Sequence, residues 1–336
     1  MGCGVFSTPR LMQAAMLDAY TEDIGLSVHK LKPPSPGPGQ VLVRVHRAPV
    51  HPVDLCLFTG EISQKPAVPF IPGLEASGTV VVGSSQWLGK RVHVYSSAKP
   101  YNQVWAEYAV FESEDCVELW DSTDFDQGAL LSCNPLTVLY FKELLLRGKH
   151  RAAVQSAANS CLGRMLIRLC ESMHLPLINI VQSAEKAEDL RALGCEHLLD
   201  SSASCFEEDY LDLCLKLGAT VGFDTVAGEF SGKLLKGLCP GGVLYVHSGL
   251  VTDKYQHLSI YDVIFAGKTM EGVFISQWFE GKTKQERETL YAEIQRDLKG
   301  IFASQIAGHF SLADVKKAVQ TYACASNAGE ILLHPH

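Results

Sequence analysis

Apolar positions divide this chain into stretches of different character. Up to about Asp124 they come in short runs separated by Gly and Pro. Val41-Leu42-Val43-Arg44-Val45-His46 mixes apolar and basic residues in a strand-like run, introduced by the stiff stretch from Pro33 to Gly39. Gly78–Val82, Arg91–Tyr95 and Tyr108–Phe111 predict further short strands, a pattern that favours a barrel or sandwich. From Arg151 the period changes. Arg151–Ala157, Leu175–Val181, His197–Asp200, Val221–Val226 and Val243–His247 read as strands. Amphipathic helices separate them. Leu162, Met165, Leu166, Leu169, Cys170 and Met173 share one face at 3.6-residue spacing, and Gly194 closes a helix over Glu185–Leu193. Further helices are expected at Glu207–Leu217 and Phe230–Leu238. Such alternation predicts a parallel, doubly wound sheet with right-handed crossovers. The expected organisation is a tail at 1–11, the first part of a β-rich domain at 12–124, an α/β domain at 125–268, and a return to the first domain at 269–336.

Composition narrows the function. A chain of 336 residues has room for two domains, because a single core stops growing at roughly 250–300 residues. With 47% hydrophobic and 20% charged residues it has the makings of packed cores rather than disorder. A net charge of -8 repels phosphate backbones, so nucleic acid is not an expected partner, and Lys316-Lys317 reads as a solvated helix face. The eleven cysteines include no C-x-x-C pair, so neither a disulfide framework nor a Cys-rich zinc knuckle is expected. Dispersed free cysteines suit the cytosol or the mitochondrial matrix. No apolar run reaches the ~18 residues of a membrane span. Met1-Gly2-Cys3 invites an acylation reading, but Phe6 stands where that pattern wants Ser or Thr. Arg10 precedes the first acidic residue, Asp18, which leaves room for a short transit segment.

The turn after the first strand of the second half reads Ala157-Ala158-Asn159-Ser160-Cys161-Leu162-Gly163. A G-x-G-x-x-G turn would place Gly where Ala158, Ser160 and Gly163 stand. That turn needs a tight bend, close backbone approach to a pyrophosphate, and close helix–strand packing. Ala and Ser are small enough for the first two needs, and Gly163 meets the third. An NAD site puts a carboxylate at the tip of the second strand. Here the tip is Val181-Gln182-Ser183, followed by Ala184-Glu185-Lys186. Ser183 and Lys186 suit a 2′-phosphate, which favours NADPH over NADH.

These segments together resemble the medium-chain dehydrogenase/reductase family. The likeness runs through Pro69-Phe70-Ile71-Pro72-Gly73-Leu74-Glu75-Ala76-Ser77-Gly78-Thr79-Val80, then Ser183-Ala184-Glu185-Lys186 with Leu193-Gly194-Cys195-Glu196-His197, then Phe223 to Gly228 and Pro240-Gly241-Gly242. Within the family it is most similar to the mitochondrial enoyl-thioester reductases, through Val104-Trp105-Ala106-Glu107, Asn134-Pro135-Leu136-Thr137, the Ala158–Gly163 turn and Phe274-Ile275-Ser276-Gln277-Trp278. The resemblance implies a Rossmann domain inserted in a GroES-like β-barrel domain. It implies Thr137 near the nicotinamide, and Ser248-Gly249 on the cofactor. It also implies that the segment from Phe274 to a buried Trp278 lines the cleft between domains. The cofactor set expected from turn and resemblance is Thr137, Asn159, Ser160, Leu162, Gly163, Ser183, Lys186, Ser248, Gly249, Phe274 and Trp278.

The sequence departs from the family in three places, and one is the missing Arg near Gln182 that would meet a 2′-phosphate. The zinc-dependent branch holds its metal with three ligands, and the corresponding residues here are His51, Leu74 and Cys133. Two donors hold zinc poorly, so no metal is expected. The enoyl reductases carry a Tyr after an N-P-x-D segment, whereas here the segment is His51-Pro52-Val53-Asp54 and Ile62 stands at the Tyr position. Three readings stay open: His51, Tyr95 or Tyr140 supplies the proton instead, the substrate differs, or the chain no longer catalyses. Two functions compete: metal-independent hydride transfer from NADPH to an activated C=C bond of an enoyl thioester, enone or quinone, or a non-catalytic nucleotide-binding subunit of a larger assembly. A homodimer joined at Rossmann sheet edges is a further expectation of the resemblance.

Overall fold

The computed structural model describes residues 8–21, 24–59, 65–97, 103–192, 194–249, 258–325 and 329–336. The β-rich half comprises β1 (Met12–Ala19), β2 (Gly25–Leu31), β3 (Gln40–Pro49), α1 (Pro52–Thr59), β4 (Glu75–Val82), β5 (Arg91–Tyr95), β6 (Tyr108–Glu112), β7 (Cys116–Glu118) and α2 (Phe125–Gly128). Then α3 (Cys133–Gly148) opens the alternating part, with β8 (Ala153–Gln155), α4 (Cys161–Ser172), β9 (Leu177–Val181), α5 (Ala184–Ala192), β10 (Leu198–Asp200), α6 (Phe206–Leu217), β11 (Val221–Asp224), α7 (Glu229–Gly237) and β12 (Val243–Val246). The chain finishes with α8 (Ile260–Ile264), β13 (Thr269–Gly272), α9 (Ile275–Glu280), α10 (Lys284–Arg296), β14 (Ile306–Ser311), α11 (Val315–Ala325) and β15 (Glu330–His334).

The chain forms two units, Met1–Leu136 with Phe279–His336, and Thr137–Trp278. The first holds a seven-stranded sheet ordered β14-β15-β3-β4-β5-β7, with β6 added on β3. Only the β14–β15 pair is parallel. Its core is the apolar set the period-2 runs predict: Val43 and Val45, Val80, Val92 and Val94, and Phe111, joined by Trp105 and by Val315 and Val319 of α11. The Trp105 indole is satisfied inside this core by donating to the Pro49 carbonyl at 3.1 Å.

The second unit holds a parallel sheet ordered β10-β9-β8-β11-β12-β13. In order of appearance this is 3-2-1-4-5-6, with its switch point between β8 and β11. Phe206, Tyr210 and Cys214 of α6 pack with Leu234 and Leu235 of α7 against Val154, Ile178, Ile180 and Leu244. Two expected boundaries move. Residues 125–136 fall in the first unit. Thr269–Gly272 does not leave the cofactor domain but adds the edge strand β13 beside β12. An edge strand buries little, so its mixed composition reads like a change of domain.

Candidate nucleotide site and a buried His-Glu-Cys cluster

The loop from β8 to α4 is built as the sequence predicts. Ser160 caps α4 by accepting from the Gly163 amide at 3.1 Å, and Gly163 is buried against the strand end. A Cβ on Gly163 would lie 2.5 Å from the Ala158 carbonyl oxygen and 2.7 Å from its carbon, which backbone cannot vacate. The strained residue is Ala157, with φ of 47°, rather than Ala158. Asn159 is buried and its carbonyl accepts from the Arg164 guanidinium at 3.2 Å, while Leu162 is only half-buried. The helix start therefore offers amides and a positive dipole end beside the switch point.

Asp224, at the end of β11, locks that switch point shut. It is fully buried and accepts from the Ser156 hydroxyl at 2.8 Å, the Val226 amide at 2.9 Å, the Ala227 amide at 3.3 Å and the Ser231 hydroxyl at 2.5 Å. Ser156 in turn accepts from the Thr225 amide at 2.9 Å, so the carboxyl ends of β8 and β11 share one network. His247, just after β12, donates its amide to the Asp224 carbonyl at 3.1 Å. Burial pushes its imidazole down to about 4, against the opposing charge of Asp224. Ser248 and Gly249 follow directly.

At the end of β9, Ser183 accepts from the Lys186 amide at 3.4 Å, and the Lys186 ammonium donates to the Gln182 side chain at 3.2 Å. Thr137 is buried on α3. One turn later the Tyr140 ring stacks on Trp278, centroids 5.0 Å apart at 14°, and the Trp278 indole donates to Glu143 at 3.0 Å. Trp278 is half-buried rather than buried, and Phe274 is 66% exposed. The Tyr140 ring face is thus used for packing. Phe141 stacks on Phe223, joining α3 to β11.

The first unit holds a different polar cluster. His51 is 2% exposed and Glu75 fully buried, with His51 Nε2 and Glu75 Oε1 2.8 Å apart. Glu75 also accepts from the Ser132 amide at 2.8 Å and the Cys133 amide at 3.2 Å, which caps α3. Burial alone would lower the His51 imidazole, but the Cys133 sulfur and the Glu75 carboxylate raise it well above the ordinary histidine value. Burial opposes ionisation of Glu75, yet the His51 bond and charge bring it below the ordinary carboxylate value. Burial and the Glu75 charge push the Cys133 thiol up to about 12. His93 Nδ1 bonds the Gly128 carbonyl at 2.9 Å, so that nitrogen carries the proton and Nε2 accepts from the Ser132 hydroxyl at 2.7 Å. Ser132 meets the Tyr291 hydroxyl at 2.8 Å. Tyr95 lies buried on β5 with its ring edge-on to Phe279. Ile62 lies outside the described residues.

The expected count of two metal donors is corrected here. Glu75, one residue beyond Leu74, brings a carboxylate to His51 and Cys133, and the three ligand atoms lie within 4.8 Å of one another.

Comparison with known proteins bears on both regions. The "Alcohol dehydrogenase GroES-like domain" family matches residues 37–121 and the "Zinc-binding dehydrogenase" family residues 161–295, together about two thirds of the chain. The chain belongs to the medium-chain dehydrogenase/reductase family. It is 25% identical over 298 residues to a Caenorhabditis elegans protein named "Enoyl-[acyl-carrier-protein] reductase, mitochondrial", covering 86% of this chain and 85% of the relative. A mouse protein of the same name is 28% identical over 261 residues, covering 74% and 68%. A Mesorhizobium loti structure described as an NADPH:quinone reductase superposes with a TM-score of 0.88 at 25% identity, covering 98% of this chain and all of that one. Family membership places the chain among oxidoreductases, with a GroES-like domain and a Rossmann domain. Within this family frame, Ser156, Asp224, His247 and Glu75 are the site residues that sequence reasoning passed over. Asp224 stood in a segment already matched to the family, and only its burial shows what it holds together.

Proposed function

We propose that this chain is an NADPH-dependent reductase acting on an activated C=C bond of an enoyl thioester, or of an enone or quinone. The observation that carries the reading is the β8–α4 turn, where Gly163 has no room for a side chain and the Ser156–Asp224 network fixes the switch point. Asn159, Ser160, Leu162 and Gly163 bring the start of α4 to a pyrophosphate. Ser183 and Lys186 meet a 2′-phosphate, and the β9 tip presents Gln182 where an NAD site would present a carboxylate. Thr137, Ser248, Gly249, Phe274 and Trp278 surround the nicotinamide, with Trp278 held in place by Tyr140 and Glu143. Held there, the cofactor would supply a hydride for the β-carbon of the substrate, whose α-carbon would then take a proton. The names of the relatives support an acyl thioester as substrate and the mitochondrion as compartment.

A second copy of the chain fits the edge of the cofactor sheet. Among the described residues β13 is unpaired on its outer side, and α8 with the following Phe265 exposes Ile260, Tyr261, Ile264 and Phe265, the last 79% exposed. Buried Lys268 pins this face by donating to Asp262 at 2.8 Å and to the Lys236 carbonyl at 2.7 Å. A two-fold pairing of β13 strands would cover both features at once.

The test of function is to follow loss of reduced-nicotinamide absorbance with a panel of 2-enoyl-CoA thioesters and quinones. Turnover of a thioester with NADPH preferred is expected. Tight NADPH binding with no turnover of either class would overturn the catalytic reading and favour a non-catalytic subunit.

A further inference from the structure

The sheet of the first unit carries a row of side chains that the proposed hydride transfer leaves unused. Strand register sets Tyr108 of β6, Arg44 of β3, Thr79 of β4 and Arg91 of β5 side by side. The flanking Val43, Val45, Val80 and Val92 belong to the core, so by the two-residue period this row points away from it. Arg44 is exposed, and Thr79 and Arg91 are half-buried. We propose that Arg44, Thr79 and Arg91 form a binding site for one phosphate group. The site lies wholly within the first unit, goes beyond the nucleotide reading and does not depend on it.

Both guanidiniums are oriented without being neutralised. Arg44 Nε donates to the His336 ring at 3.2 Å. Arg91 donates to the Thr123 carbonyl and lies over Phe125, 4.8 Å from the ring centroid. Among the described residues neither forms an ion pair with a carboxylate. Arg47 is the contrast, since Asp126 meets its charge at 2.6 Å. Glu107 bonds the Gln13 amide and the His336 ring instead. In a chain of net charge -8 two uncompensated arginines in one row stand out. His46, stacked on Phe125 and 3.1 Å from the Thr79 hydroxyl, feels the excess. Burial, and then the charges of Arg44, His336, Arg47 and Arg91, push its imidazole down to about 4. Geometry selects the anion. Adjacent strands lie about 4.8 Å apart, so the Arg44 and Arg91 backbones stand roughly 10 Å apart, with Thr79 between them. Two Arg side chains can close on one anion across that gap. A carboxylate has its oxygens in one plane and is filled by a single guanidinium. A phosphate presents a tetrahedron of oxygens and takes both forks and the Thr79 hydroxyl. The same chemistry arrives as free phosphate or as the phosphoester of a larger ligand, such as a coenzyme A thioester.

The test is an NMR titration of the full-length protein with inorganic phosphate at constant ionic strength, read at the ring signals of His46, which His46→Gln assigns. This local readout separates the row from any phosphate held at the start of α4. A saturable shift is expected with phosphate and none with acetate. Arg44→Gln and Arg91→Gln should each raise the half-saturating phosphate concentration by roughly 10-fold or more, the cost of losing one charge-assisted hydrogen bond. Lys90→Gln, beside Arg91 in sequence but paired with Glu118, should leave it unchanged. Coenzyme A run alongside names the source. Half-saturation below that of phosphate identifies an ester, and half-saturation at or above it identifies free phosphate. Should Arg91→Gln fail to fold by circular dichroism, the exposed Arg44 decides alone. No saturable shift, an equal response to acetate, or an unchanged midpoint in Arg44→Gln overturns the proposal.

Discussion

Asp224 and Glu75 are both buried carboxylates at strand ends, but they keep different company. Asp224 ends β11 and draws only on neutral donors: two hydroxyls and two backbone amides. Glu75 opens β4 and faces two amides and an imidazole that can itself carry a charge. A carboxylate ringed by neutral donors is architecture, because nothing around it changes state near neutral pH. One bonded to a titratable ring is a chemical device, because its partner can be exchanged. The nucleotide unit therefore uses its buried carboxylate to hold two strand ends in register, and the β-rich unit places its own against a titratable ring.

The sharpest break in this comparison comes from the nucleotide side. Gly163→Val drives side-chain atoms into the Ala158 backbone, so nicotinamide affinity should fall by more than about 100-fold, roughly 2.7 kcal/mol, while the seven-stranded unit stays folded. Fluorescence titration checks it, and unchanged affinity in a folded variant removes the turn from the site. Next come the two carboxylates themselves. Glu75→Ala strands the His51 imidazolium and should cost about 3–5 kcal/mol, whereas Asp224→Ala strands only neutral donors and should cost about 1–3 kcal/mol. Urea denaturation of both variants decides; equal losses would erase the distinction between them.

How much of this was legible beforehand follows from sequence distance. The strand series, the amphipathic face of α4 and the need for Gly163 all lie within one turn or one strand of their cause, so local period exposes them. Glu75 meets Ser132 across 57 residues, and Ser156 meets Asp224 across 68, pairings that only the topology creates. The Glu75 carboxylate was hidden a second way, because Leu74 occupies the position where a ligand was sought. The left-handed turn residue, Ala157, was not read from the sequence, since the fingerprint fixes spacing but not which residue takes that conformation. Strand β13 was assigned to the wrong unit because an exposed edge lacks the apolar signature of its buried neighbours.

The pH dependence sharpens the contrast. His247 is half-buried, and its value is depressed from 6.5 to about 4, so below 6.5 the unfolded chain takes a proton that the folded ring refuses. Stability should fall as pH drops from 6.5 to 4 and level off below, by up to about 3 kcal/mol from this ring. His247→Leu should flatten that slope in thermal melts across the window, and an unchanged slope would assign it elsewhere. Lys186→Glu should weaken NADPH by about 10–100-fold and NADH far less, since only NADPH carries the 2′-phosphate. Equal losses for both would refute that contact. The smallest effect expected is a gain: Ala157→Gly relieves the positive φ and should raise stability by about 1 kcal/mol, seen as a higher melting temperature.

The central claim, a working nicotinamide site at the β8–β11 switch point, is tested most directly by fluorescence titration of the purified full-length protein with NADPH, with NADH alongside. Saturable binding with NADPH preferred is the predicted result. No saturable binding of either nucleotide, in a sample shown to be folded by circular dichroism, would contradict it.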